Sequence, residues 1–310
     1  MRDSLVALSQ VVGRSKVIPC AAPLHVVEVA DDAADHEDAL PRSKEGARAR
    51  PAREIFVLVH GYGGTSYLWR HWAQPLAKRG RVLLIDLKGF GDAPKPDDGR
   101  YTPRDLADAV VALILELDLT RVTLVGQSLG GGVALLVALS LQDRDEPRLA
   151  RLILVAAAAY PQRLPPLVPM SKRPRLSEAL IRLVGPKRLI RWATRAIVHD
   201  PGIVTEEQVA AYARPLETRE GRRAAMDVGR RIVPDNLEQI VTRYPEIQVP
   251  TLLLWGDSDR VVPLWVGRRL EREMPRARLV VVGECGHLAP EERPVASLQA
   301  VERFVEEYPL

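Results

Sequence analysis

The sequence predicts an α/β protein, a mostly parallel, doubly wound sheet with a helical lid inserted after the strand that ends near Val155. Three observations carry that expectation. Six short apolar runs, β-branched or leucine-rich, lack the polar alternation of half-exposed strands and read as strands buried on both faces. Helical patterns fill most of the intervals between them, the rhythm of parallel strands joined by crossovers. Residues 160–247 break that rhythm with a long, proline-punctuated helical stretch that has no strand pattern.

Taken in order, residues 23–29 are expected to add antiparallel edge strands. Residues 31–53, charged and alanine-rich with few large apolar side chains, read as a solvated loop. The strand runs are 55–59, 82–85, 122–125, 152–155, 252–255 and 279–282. The helical patterns are 68–78, 103–118, 129–141 and 264–274, with a last one at 294–308. Within 160–247, Thr205-Glu206-Glu207-Gln208 has the form of a capping box. The expected division is therefore a core of residues 1–159 and 248–310 and a lid of residues 160–247.

Composition excludes several classes. Hydrophobic residues at 46% and charged residues at 27% suit a globular protein with a substantial core. The 44 cationic side chains are nearly matched by 40 anionic ones, and no Lys/Arg block interleaved with aromatics points to nucleic acid. Cys20 and Cys285 form neither a disulfide framework nor a metal-ligand spacing and read as free thiols. No stretch approaches the ~20 apolar residues of a membrane span. The first ten residues, with an early Asp3 and no sustained apolar core, make a poor secretory signal, so a cytoplasmic location is expected.

In an open parallel sheet, ligands bind outside the carboxyl ends of the strands. After Val59 comes His60-Gly61-Tyr62-Gly63-Gly64, and after Ile85 comes Asp86-Leu87-Lys88-Gly89-Phe90-Gly91. After Val125 comes Gly126-Gln127-Ser128-Leu129-Gly130, a strand, a sharp turn and a helix with serine at the apex. Gly256-Asp257-Ser258-Asp259 follows Trp255, and Gly283-Glu284-Cys285-Gly286-His287 follows Val282. A nucleophile, an acid, a base and a glycine-rich loop thus converge on one edge.

Here the chain resembles the α/β-hydrolase superfamily, from Val26 onward. Ser128, then an acid, then His287 is that family's order of nucleophile, acid and base. The segment from Leu254 to Pro263 looks like its acid loop, and the resemblance places the acid at Asp259, with Asp257 the other carboxylate on the same loop. It assigns the oxyanion-hole donors to the backbone N–H groups of Tyr62 and Leu129. It gives His60 the task of holding its loop, while Asp86, beside Gly89 and Gly91, reads as turn chemistry. His71, next to Trp69 and Trp72, is expected to pack, and Cys285 to be a small buried hydrophobe.

The resemblance implies a cofactor-free, metal-free serine hydrolase cleaving small or medium carboxylic esters through an acyl-enzyme. The same superfamily offers carbon–carbon hydrolases of meta-cleavage products, although Leu288 follows the histidine where some of those carry an aromatic residue. It also offers cofactor-free haloperoxidases or perhydrolases. A different class would be a non-catalytic ligand receptor on the same fold. Trp192, Tyr212 and Met226 are candidates to line a substrate pocket, with Leu183 and Ile197 beside them. The 160–247 stretch holds 16 Lys/Arg against 10 Asp/Glu, which suggests either attraction of anionic substrates or a solvated helix surface.

Overall fold

The computed structural model describes residues 15–30, 54–164, 168 and 171–310. Residues 31–53, expected to form a solvated loop, lie outside them. Eight strands form one sheet: β1 Ser15–Ile18, β2 His25–Val29, β3 Glu54–Val59, β4 Gly80–Asp86, β5 Val122–Gln127, β6 Leu149–Val155, β7 Thr251–Gly256 and β8 Ala277–Val282. Their spatial order is β1-β2-β4-β3-β5-β6-β7-β8. The six strands from β3 onward run parallel, and each contains one of the six apolar runs. β2 pairs antiparallel with both β1 and β4, as expected for the amino-terminal edge.

The absence of polar alternation has its cause in helices on both faces. Val57 and Val59 of β3 point into one core and Phe56 and Leu58 into the other. In β6, Leu152 and Leu154 share the first core, Ile153 and Val155 the second. Side chains alternate along a strand, so only a strand covered on both sides needs apolar residues at every position. The first core is closed by α2 (Pro103–Glu116), α3 (Leu129–Asp143) and α9 (Leu264–Glu273), and the second by α1 (Arg70–Ala77) and α11 (Pro294–Glu307). Helix α2 starts on a full capping box, with Thr102 and Asp105 each accepting from the other's backbone N–H.

Between β6 and β7 the described residues form helices and no strand: α4 Pro174–Val184, α5 Pro186–Ile197, α6 Glu206–Glu217, α7 Arg219–Arg231 and α8 Leu237–Val241. Thr205 caps α6 by accepting from Gln208 N. A short helix, α10 (Ala289–Glu292), separates β8 from α11. Among the described residues, no helix is long and apolar enough to cross a membrane. His71 departs from expectation, since it is exposed while Trp69 and Trp72 are fully buried.

Candidate active site

Ser128 sits at φ 53° and ψ −117°, a left-handed conformation that a non-glycine residue adopts only under constraint. Such strain costs about 1–3 kcal/mol and persists where its surroundings over-determine it. The constraint here is a set of backbone bonds. Ser128 N donates to Val155 O at 2.9 Å, and its carbonyl accepts from Gly131 and Gly132 in α3 and from Ala158. The turn also brings α3 hard against β3. A Cβ on Gly130 would lie 2.4 Å from the carbonyl oxygens of Val59 and His60, so only glycine fits there.

The loop after β3 is shaped by His60, which is fully buried. Its Nδ1 donates to Gly61 O at 2.7 Å and its Nε2 accepts from Leu87 N at 3.1 Å, so both ring nitrogens are spent on backbone. Burial pulls its pKa down. Asp86 is likewise committed to the turn, accepting from Ser66 N at 2.6 Å, Asp92 N at 2.9 Å and His25 Nδ1 at 3.1 Å. Burial alone would raise this carboxyl, but those bonds and the nearby imidazoles hold it well below the usual carboxylate range. His25, Asp86 and Asp92 come within 4.8 Å of one another, a grouping a metal could use. Arg214 already pairs with Asp92 at 2.8 Å and answers that charge.

The loops after β7 and β8 meet through Asp259 and His287. His287 Nδ1 and Asp259 Oδ2 are 2.9 Å apart, and both side chains are almost wholly buried. The other oxygen, Asp259 Oδ1, accepts from Val261 N at 2.8 Å and Val262 N at 2.9 Å, which fixes the carboxylate plane. Asp257 is exposed and bonds elsewhere, accepting from Glu284 N at 3.0 Å and Cys285 N at 3.2 Å. Two carboxylates two residues apart thus do different things: one faces the imidazole, the other ties the neighbouring loop. Cys285 is fully buried, and burial pushes its thiol pKa far up, as suits an inert side chain.

Ser128 and His287 line one cavity of about 370 Å³, together with Gly61, Tyr62 and Leu129. Leu129 is the first residue of α3, so its N–H has no acceptor within the helix and lies at the positive end of the helix dipole. The insertion supplies much of the opposite wall. Ile190, Ala193, Thr194 and Ile197 form one face of α5 and line the cavity. Trp192 does not line it and is 55% exposed. Two residues along a helix turn the side chain to the opposite face, and the sequence expectation had the wrong phase. Met226 is buried without reaching the cavity, whose wall there is the later segment Ile232, Val233 and Pro234. Leu183 is 84% exposed, whereas Tyr212 lines the cavity.

Sequence reasoning did not single out Glu292. Its carboxylate accepts from Gly286 N and Leu288 N, both at 2.8 Å, bracketing His287, and from His199 N of the insertion at 2.7 Å. His287 N donates to Ile197 O at 2.9 Å, and Gln127 Nε2 donates to His287 O at 3.2 Å. A Cβ on Gly286 would lie 2.6 Å from Ile197 O and 2.7 Å from His199 N, so glycine is what lets the insertion approach. One residue earlier, the enclosed Glu291 carboxylate accepts from Arg70 and from two insertion side chains, Gln208 at 2.5 Å and Tyr212 at 2.9 Å. A glutamate placed five residues after the histidine was the available signal, but nothing in its spacing announces backbone acceptors.

The family described as the alpha/beta hydrolase fold matches residues 54–294. The uncharacterized hydrolase YugF of Bacillus subtilis (strain 168) is 28% identical over 260 residues, covering 82% of this chain and 91% of that protein. A 2-hydroxy-6-oxononadienedioate/2-hydroxy-6-oxononatrienedioate hydrolase of Burkholderia vietnamiensis is 33% identical over 250 residues, covering 76% of this chain and 81% of the relative. Among solved structures, the meta-cleavage product hydrolase from Pseudomonas fluorescens IP01 superposes with a TM-score of 0.73 at 22% identity, covering 97% of this chain and 100% of the other. A thermophilic esterase from Thermogutta terrifontis gives 0.69 at 23% identity, with 96% and 99% covered. At such identity these two likenesses speak for the fold alone. With its parallel sheet, its serine on a strained turn and a family match over more than three quarters of its length, the chain belongs to the α/β-hydrolase family.

Proposed function

We propose that this protein is a serine hydrolase that cleaves carboxylic esters through an acyl-enzyme, with Ser128 as nucleophile, His287 as general base and Asp259 as the acid that orients it. The observation that carries the reading is the 2.9 Å contact of His287 Nδ1 with Asp259, on an imidazole that shares a cavity with the strained Ser128. In this scheme Ser128 Oγ attacks the ester carbonyl as its proton passes to His287 Nε2. Asp259 holds the tautomer that leaves Nε2 free and stabilises the imidazolium. The N–H groups of Tyr62 and Leu129 receive the oxyanion, each donor being worth roughly 10²–10³ in rate. His287 then protonates the departing alkoxide. Water, deprotonated by the same imidazole, hydrolyses the acyl-Ser128 ester and releases the acid.

Residues 160–247 act in this reading as the lid. Neither metal nor cofactor is called for by these steps, and the partner is a small acyl substrate. Relatives named for 2-hydroxy-6-oxononadienedioate hydrolysis favour a second reading, carbon–carbon cleavage by the same serine. The decisive experiment is labelling with a fluorophosphonate probe, which modifies only an activated serine. Stoichiometric labelling at Ser128, lost in Ser128→Ala, is expected. Folded wild-type protein that resists the probe would overturn the reading in favour of a non-catalytic receptor. Turnover of a meta-cleavage product without turnover of p-nitrophenyl esters would select carbon–carbon cleavage.

A further inference from the structure

The cavity over Ser128 is walled by groups that have little to offer a charge. Four tyrosines line it, and all four hydroxyls donate to the protein. Tyr62 donates to Ala225 O at 2.9 Å, Tyr160 to Glu273 at 2.7 Å, Tyr212 to Glu291 at 2.9 Å and Tyr244 to Ala159 O at 2.7 Å. Gln127 spends its amide on His287 O, and Gln162 Nε2 points to Val261 O at 3.4 Å. What Gln162 leaves over is Oε1, a buried acceptor without a partner, which would repel an anion. Among the described residues, no Lys, Arg, Asp or Glu lines the cavity. The sequence between Leu164 and Ser171 contains no charged side chain either.

Among the described residues, no cation of the insertion lines the cavity, and several are paired away from it. Arg191 pairs with Glu206 at 2.5 Å, Arg214 with Asp92 at 2.8 Å and Arg243 with Asp143 at 2.6 Å. The basic surplus of residues 160–247 therefore supplies no counter-charge at the cavity wall. The wall the insertion does present is aliphatic, carried by Ile190, Ile197, Ile232, Val233, Leu237 and Ile240.

We infer that the acyl group taken by this site is uncharged and apolar, and that a substrate with a carboxylate at the far end of its acyl chain is rejected. The inference rests on Ser128 being the acyl acceptor. A carboxylate entering the cavity would shed its water with no cation to replace it and, away from the oxyanion donors, only the Thr194 hydroxyl as a side-chain donor, which is costly at any such site. Methylenes gain by the same transfer. A dicarboxylate, such as the dienedioate in the names of some relatives, is thereby disfavoured here, whichever bond is cut.

The test compares p-nitrophenyl esters of straight-chain acids with equal-length esters ending in a free carboxylate and with the methyl-capped forms of the latter. The fraction of active protein is first counted with the fluorophosphonate probe. The value of kcat/KM should rise about fourfold per methylene until the chain outgrows the cavity. The carboxylate-ended ester should fall roughly 100-fold or more below its neutral counterpart, and methyl capping should recover most of that loss. A carboxylate-ended ester cleaved as well as the neutral one would overturn the inference, as would a capped ester as poor as the free acid. Failure of the probe to label would instead defeat the serine-hydrolase reading, so the two failures are separable.

Discussion

The strand-edge loops and the helical insertion meet in one cavity, yet they are held by different means. Ser128, Asp259 and His287 each lie within five residues of a strand end, and the register of the sheet sets where those ends fall. Gly256 pairs with Val282, so the acid and histidine loops emerge side by side, and the serine loop emerges on the far side of β6 from the acid loop. Among the described residues, the insertion has no strand in the sheet. It is positioned by side chains and loop backbone, with Gln208 and Tyr212 on Glu291, His199 N on Glu292 and Ile197 O on His287 N. In the proposed reading, chemistry and selection are built separately here and joined along a seam that includes residues 197–199 against the histidine loop and Gln208 and Tyr212 on Glu291.

The largest effect that could break this comparison lies in the loops. Asp259→Asn should lower kcat by roughly 10⁴, because the amide favours the wrong imidazole tautomer. Asp257→Asn should cost less than about tenfold in kcat but lower the melting temperature, since its bonds serve Glu284 and Cys285. Steady-state kinetics and thermal melts on both variants decide it, and the reverse ranking would move the acid to Asp257.

The seam comes next. Glu292→Gln replaces a carboxylate that accepts three backbone N–H groups, and the resulting shift of His287 should lower kcat by about 10–100-fold with little change in KM. Its acidic limb in the pH–kcat profile should move as well. A loss of melting temperature with an unmoved pH profile would reduce Glu292 to a purely structural role.

A smaller effect is expected in the roof. Ile240→Ala should raise KM for a medium-chain ester by about tenfold, leaving kcat and the acetate ester nearly unchanged. Equal losses on short and long esters would mean that the insertion shapes the chemistry and not only the fit.

The smallest effect lies away from the cavity. Burial lowers the His25 pKa, but Asp86 more than offsets it and holds the imidazole above its usual value. A raised histidine pKa contributes stability that is full below about pH 6.5 and is lost as pH rises through the folded value. Urea denaturation from pH 5 to 9 should show that decline, and His25→Gln should flatten it while leaving kcat alone.

How legible each part was in the sequence follows from the same division. Five of the six parallel strands were readable because burial on both faces demands unbroken apolar runs, while β8, expected to be buried on both faces, is an edge strand with Val281 exposed. β1 escaped notice, being four residues at the sheet's edge with Lys16 and Val17 exposed and no apolar pattern. The serine turn was readable because a strained apex needs small neighbours. Asp259 and Asp257 could not be told apart by spacing alone, since either is within a loop's reach of His287. Trp192 was misplaced because hydrophobicity does not reveal the rotational phase of a helix that packs over a cavity.

The chain by itself determined what is local and periodic: strand runs, the capped helix starts, the glycine-flanked serine and the family order of serine, acid and histidine. These depend on backbone sterics and on side-chain alternation over a few residues, and both are written in neighbouring positions. Only the tertiary structure decided which carboxylate meets His287, that Glu292 clasps the histidine loop to the insertion, and that the basic side chains of the insertion stay out of the cavity wall. Those outcomes depend on the direction of side chains brought together from distant segments, which packing sets and residue order does not record.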